Sequence, residues 1–205
     1  VILNMDNYNV PILVEAKNSY TIQLVQILKP ILLEGILSIY AEAKDYCEEN
    51  NQPDSILLIF QRYLSNIPRW TNQEICEEAE KVIYHCDWVE DLITAIFVSH
   101  TKILAAIKVN NDENSKNVTL KIPSTENFLH KIYEEMARTF WKKSYLLREL
   151  DDKIKYQMNL NMCEDLIEKC ITDSVVRMIP VKDILSDVLA GLNEPEVRFE
   201  DADGN

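Results

Sequence analysis

Residues 122–147, IPSTENFLHKIYEEMARTFWKKSYLL, decide how this chain folds. Their apolar side chains come in adjacent pairs spaced four apart: Phe128/Leu129, Ile132/Tyr133, Met136/Ala137 and Phe140/Trp141. On a helix each pair covers one side of one turn, so together they draw a wide apolar stripe. Lys131, Glu134, Glu135, Arg138, Lys142 and Lys143 fall on the other side. The spacing predicts an amphipathic helix, capped by Ser124 or Thr125 and reaching about residue 148, with its aromatic residues in a core. It is built to dock, and it carries no evident catalytic apparatus.

The rest of the chain agrees with a helical fold. Glycine occurs only at Gly35, Gly191 and Gly204, whereas usual usage of ~7% would give about fourteen. Few glycines mean few positive-φ turns and no phosphate-cradling loop, which favours long helices over hairpins. With 205 residues, 47% hydrophobic and 27% charged, the chain can bury the core of a single domain.

Breakers and caps divide it. Residues 1–17, with Pro11, read as an extended arm. A helix is expected over about 19–49, with Pro30 kinking it, then a turn at Asn50-Asn51-Gln52-Pro53 and a helix over about 54–66. Ile67-Pro68-Arg69-Trp70 interrupts, and Thr71 with Glu74 forms a capping-box pattern for a helix over about 72–84. Asp87, with Glu90 three residues on, is expected to cap an apolar helix over about 88–109. A polar loop follows at 110–117, then a short strand at 118–122. Residues 151–161 are polar and are assigned no conformation. Asn161, with Glu164, starts a helix to about 178. Pro180 breaks it, and a short final helix ends at Gly191. The expected architecture is all-α, an irregular bundle of about six to seven helices. A single helical domain spans 18–191, between the arm and an acidic tail over 192–205 that should be disordered.

Charge excludes some functions. There are 34 acids against 21 bases, a net charge of −13, so phosphate backbones and anionic lipids are repelled at long range. No nucleic-acid partner is expected. Acids crowd Glu42–Asp91, while the balance turns slightly basic between Lys131 and Arg148. No uninterrupted apolar run approaches a bilayer span of ~18 residues; Leu92–Ile107 is broken by Ser99, His100, Thr101 and Lys102. Direct membrane insertion is therefore not expected. Cys47, Cys76, Cys86, Cys163 and Cys170 form no CxxC pair and read as buried free thiols of a reducing compartment.

Candidate chemistry is thin. Glu126, His130 and Glu134 lie four apart and could face one metal, but a metal site draws ligands from several elements, so they read as a surface ladder. Cys76, His85, Cys86 and Asp87 match no zinc spacing. Cys163 and Cys170 share a helical face with Leu166 and Ile167 and read as core. The acids at 74–80 read as a solvated face. The aromatic stripe could stack bases, yet most of the chain's local bases lie across the helix from it. No catalytic residue, metal or cofactor is expected, and the chain reads as not an enzyme. The residues expected to meet a partner are Arg138, Lys142, Lys143 and Tyr145.

Several phrases, taken in order, carry a resemblance. They are Leu57-Leu58-Ile59-Phe60-Gln61 with Ile67-Pro68-Arg69-Trp70; Asp91-Leu92-Ile93-Thr94-Ala95-Ile96-Phe97 with Ser99-His100-Thr101-Lys102-Ile103-Leu104; Phe128-Leu129-His130-Lys131-Ile132-Tyr133 leading to Ala137-Arg138 and Tyr145-Leu146-Leu147; and Ile171-Thr172-Asp173-Ser174-Val175-Val176-Arg177-Met178-Ile179-Pro180. Over about residues 20–190 the chain resembles a helical minor capsid protein family of nucleocytoplasmic large DNA viruses. The resemblance implies a structural protein assembled in host cytoplasm and cementing capsomers on the inner face of the virion's capsid. Its partners would be the major capsid protein and other minor capsid proteins, at many copies per particle. A viral cytoplasmic adaptor binding a protein through the same helical surface is the second reading.

Overall fold

The computed structural model describes residues 10–106 and 122–182, and among them the fold is all-α. Six helices follow in order: α1 Val10–Glu49, α2 Ile56–Asn66, α3 Asn72–His85, α4 Val89–Ala106, α5 Thr125–Lys142 and α6 Lys153–Met178. Short 3₁₀ turns at Pro53–Ser55, Ile67–Arg69 and Ser144–Leu147 join them. The expected loop at 110–117, the strand at 118–121, the end of the last helix and the acidic tail lie outside the described residues. Ile122, where that strand was to end, is not in a strand.

Two long helices organise the bundle. α1 packs against α2, α3, α4 and α6, and α5 against α2, α3, α4 and α6. The spacing of Leu24, Leu28, Leu32 and Ile36 explains α1's role: these fully buried side chains recur every four residues along one side. α6 runs antiparallel to α1, with Lys44 meeting Glu149 at 2.9 Å and Lys29 meeting Glu168 at 3.5 Å.

Three expectations need correction. The arm does not extend to residue 17, because Val10–Lys17 already forms the first turns of α1. Pro11 sits in that first turn, where a missing N–H costs nothing. As expected, α1 continues through Pro30, which lies on the exposed side with Gln26, so the carbonyl it deprives of a partner can be solvated. The helix at α5 stops at Lys142 rather than about 148, and the following 3₁₀ turn buries both Leu146 and Leu147. α6 begins at Lys153, eight residues ahead of Asn161, because Asp152 caps it by accepting from the N–H groups of Ile154 and Lys155 at 3.0 and 3.2 Å. Ser124 does cap α5, and Thr71 and Glu74 complete their capping box.

α1 also corrects the reading of the apolar runs. By length and composition it is long and apolar enough to cross a membrane, the sole such helix among the described residues. Ten of its residues from Leu24 to Cys47 are buried in the bundle.

α4 carries a half-buried His100. Burial first, and the nearby Lys17 charge second, push its pKa down to about 4. The unfolded imidazole titrates near ~6.5, so the neutral ring contributes stability that is complete above that pH and lost as pH falls towards 4. Discounted for partial exposure, the loss is on the order of 1 kcal/mol. The stability of the protein relative to its His100→Gln variant, from urea denaturation, should therefore decline between about pH 7 and 4.5. A constant difference across that range would count against this placement of His100.

Candidate interaction surface

The amphipathic pattern of α5 sorts its side chains as expected, with one exception. Phe128, Leu129, Ile132, Tyr133, Met136, Ala137 and Phe140 are all buried. Trp141 is not: it remains 48% exposed. At that end Leu146 and Leu147 of the 3₁₀ turn are buried instead.

Trp141 joins an exposed cluster at the end of α5. Gln61 Nε2 of α2 donates to the Trp141 carbonyl at 2.8 Å, which holds the two helices together there. One turn before Gln61, Leu58 is 66% exposed, and Tyr145 just beyond α5 is 56% exposed. Large apolar and aromatic side chains left in solvent next to bases are the composition of interface anchors.

The four residues singled out from the sequence divide in the structure. Arg138 is already engaged: its guanidinium bonds Glu135 at 2.6 Å and reaches Glu134 at 3.5 Å. Arg177 of α6 donates to the same Glu135 carboxylate at 2.6 and 2.7 Å, pinning α6 to α5. Lys142 is exposed and Lys143 half-buried, and neither has an ion-pair partner among the described residues. Lys142, Lys143 and Tyr145 thus cluster with Trp141, while Arg138 belongs to a structural network.

A second feature escaped the sequence reading. A cleft of about 540 Å³ opens among α1, α2, α3 and α5, lined by Gly35, Glu42, Tyr63, Trp70, Glu77, Glu78 and Tyr133 among others. On its floor the Tyr133 hydroxyl donates to Glu78 at 2.5 Å. Burial first, and the Glu78 charge second, hold that phenol well above its ordinary pKa, so it stays a donor. Trp70 leans on Tyr133 with ring centroids 4.9 Å apart and stacks on His130 at 6.3 Å. Gly35, in mid-helix, is the one visible signal: it admits the tyrosine hydroxyl past α1.

The other candidate ligands have structural duties. His130 Nε2 donates to the Ile67 carbonyl at 2.9 Å, closing the 3₁₀ turn that precedes α3. Glu134 takes Lys131 at 3.0 Å as well as Arg138. His85 bonds the Lys81 carbonyl at 2.7 Å through Nδ1. Cys86 is buried, but Cys76 is exposed, which corrects the expectation that all five thiols are buried. Among the described residues no three His, Cys, Asp or Glu side chains stand together as metal ligands. Cys163 and Cys170 are buried. Burial pushes the Cys163 thiol up to about 11 and raises that of Cys170, whose Sγ–H donates to Thr139 at 3.5 Å. Both stay protonated and behave as small apolar groups.

Comparison with known proteins found no similar curated protein and no similar solved structure. The span from α1 through the exposed cluster at Tyr145, residues 10–148, does match a family described only as one of unknown function, DUF5764. That span is well over half of the 205 residues, and the chain belongs to this family.

Proposed function

We propose that this chain is a non-enzymatic structural protein that holds protein neighbours together through the end of α5. The observation that carries the reading is the exposed Trp141 and Tyr145 flanking Lys142 and Lys143 in sequence, with α2 tied to them through Gln61, on a chain of net charge −13. Aromatic anchors supply binding energy, and a local excess of positive charge selects an acidic surface on the neighbour. The resemblance to minor capsid proteins narrows those neighbours to the major capsid protein and its minor companions, on the inner face of a large icosahedral capsid.

Co-sedimentation with purified particles tests the proposal. The protein should be present at many copies per particle. The Trp141→Ala/Tyr145→Ala variant should be retained about tenfold less or worse, since losing an interface anchor costs roughly 2 kcal/mol or more. Both side chains are exposed, so the variant should remain folded at the assay temperature. Absence from particles would overturn the capsid reading. Binding to a cytoplasmic protein without incorporation would favour the adaptor. Full retention of the variant would place the contact elsewhere.

A further inference from the structure

α6 carries an apolar stripe that the bundle leaves outside. Ile154 is 75% exposed, Met158 60% and Met162 46%, and they follow one another every four residues. Nowhere else among the described residues do three exposed large apolar side chains recur at that spacing along one helix. Cys163, Ile167, Cys170, Ile171 and Val175 turn the other side of α6 into the core. We propose that this stripe pairs with the same stripe of a second copy of the chain, the two α6 helices lying antiparallel about a two-fold axis. The inference goes beyond the surface at the end of α5 and does not depend on it.

Charge complementarity names the occupant. On a helix of 3.6 residues per turn, Ile154, Lys155, Met158, Met162, Asp165 and Lys169 fall within about 100° of arc. An antiparallel pair centred level with Leu160 sets Met158 opposite Met162 of the second copy and Lys155 opposite its Asp165. Lys169 then meets Asp151 of the second copy, just ahead of the cap Asp152. All four charged residues are exposed, and each opposition occurs twice by symmetry. Sliding one helix by a turn either way sets like against like, Asp151 against Asp165 or Lys155 against Lys169. The charges thus select one register, as flanking charges do in coiled coils.

The balance of the stripe also suits a second copy. Its two acids and two bases cancel on a chain whose net charge is −13. Two copies repel across their acidic faces, and here they can approach without that repulsion. Lys155 lies 3.6 Å from Asp152 of its own chain, an exposed contact worth little, so its ammonium stays available. The methionines at the centre are flexible and polarizable, and fill an interface between two helices without demanding one rotamer.

Sedimentation velocity of the full chain tests the pairing, under reducing conditions that exclude disulfide dimers through the exposed Cys76. The parent should pass from monomer to dimer between about 1 and 100 µM. Asp165→Lys and Lys155→Glu should each weaken the dimer about tenfold or more, because two symmetry-related pairs turn repulsive. An equimolar mixture of the two variants should regain the parent affinity within about threefold, since every lysine then faces a carboxylate again. Both substitutions lie on an exposed face and introduce good helix formers, the glutamate in the first turn of α6, so the monomers should keep their helicity. A parent that stays monomeric at about 100 µM would overturn the proposal. So would a dimer indifferent to both reversals, or weakened variants that fail to rescue each other on mixing.

Discussion

Replacing Phe128 with alanine is expected to lower the unfolding free energy by about 3–5 kcal/mol. The ring is fully buried at the start of α5 and meets Phe97 of α4 edge to face, centroids 6.1 Å apart at 89°. Removing it forfeits transfer energy, leaves a cavity that the surrounding helices only partly close, and abolishes an aromatic pair worth about 0.5–1.5 kcal/mol beyond its area. α4 and α5 make few other close approaches, so this pair is a main tie between them. The loss is a large fraction of the ~5–15 kcal/mol that holds a domain together. Phe128→Leu should recover most of it, remaining within about 1.5 kcal/mol of the parent. Trp141→Ala, whose ring is about half exposed, should cost less, about 1–2 kcal/mol. Urea denaturation of the three variants checks the ordering, and comparable losses for Phe128→Ala and Trp141→Ala would contradict the assigned faces.

The second large effect is expected at Gly35. Glycine in a helix interior ordinarily costs about 0.5–1 kcal/mol relative to alanine, so Gly35→Ala by propensity alone would stabilise. Here a Cβ at Gly35 would overlap the Tyr133 hydroxyl oxygen and stand 3.2 Å from its Cζ. Tyr133 cannot swing away freely: it is 2% exposed, leans on Trp70 and is tethered to Glu78. Overpacking of this kind costs about 1–3 kcal/mol, and a broken buried hydrogen bond adds about 1–3 more. A net destabilisation of about 2–4 kcal/mol is expected from thermal or urea unfolding. Tyr133→Phe removes the clashing oxygen, so in that background Gly35→Ala should cost far less or turn favourable. Equal costs in both backgrounds would show that the hydroxyl is not what Gly35 accommodates.

Helices were legible where the sequence carried their physics locally. The paired apolar positions of α5 gave its buried side, and Thr71 with Glu74 announced α3, because caps and periodicity act within one or two turns. α6 was read eight residues short because its first turns, from Lys153 to Leu160, lack an apolar stripe and present Ile154 and Met158 to solvent. The local signal for that start is Asp152, whose carboxylate accepts from the N–H groups of Ile154 and Lys155. The start of α1 was misjudged for a related reason: Pro11 looked like a breaker, yet the first turn is where proline is tolerated.

The candidate surface was half legible. Lys142, Lys143 and Tyr145 stood out as a basic, aromatic stretch on an acidic chain. Arg138 looked equivalent in sequence, but Glu135 and, through it, Arg177 from another helix engage it. Its pairs with Glu134 and Glu135 follow local i,i+4 and i,i+3 spacing, whereas the second cation on Glu135, Arg177, comes from 42 residues away and no local pattern reports it.

By itself, then, the sequence determined that this chain is helical, which faces of its central helices are apolar, and where most caps and breaks fall, since those properties arise from neighbours three or four positions apart. The tertiary structure decided which apolar residues stay outside. Leu146 and Leu147 are buried at the end of α5 while Trp141 stays half exposed, and Gly35 admits Tyr133 to Glu78 across three helices. Both outcomes depend on volume shared between distant segments, which only close packing settles.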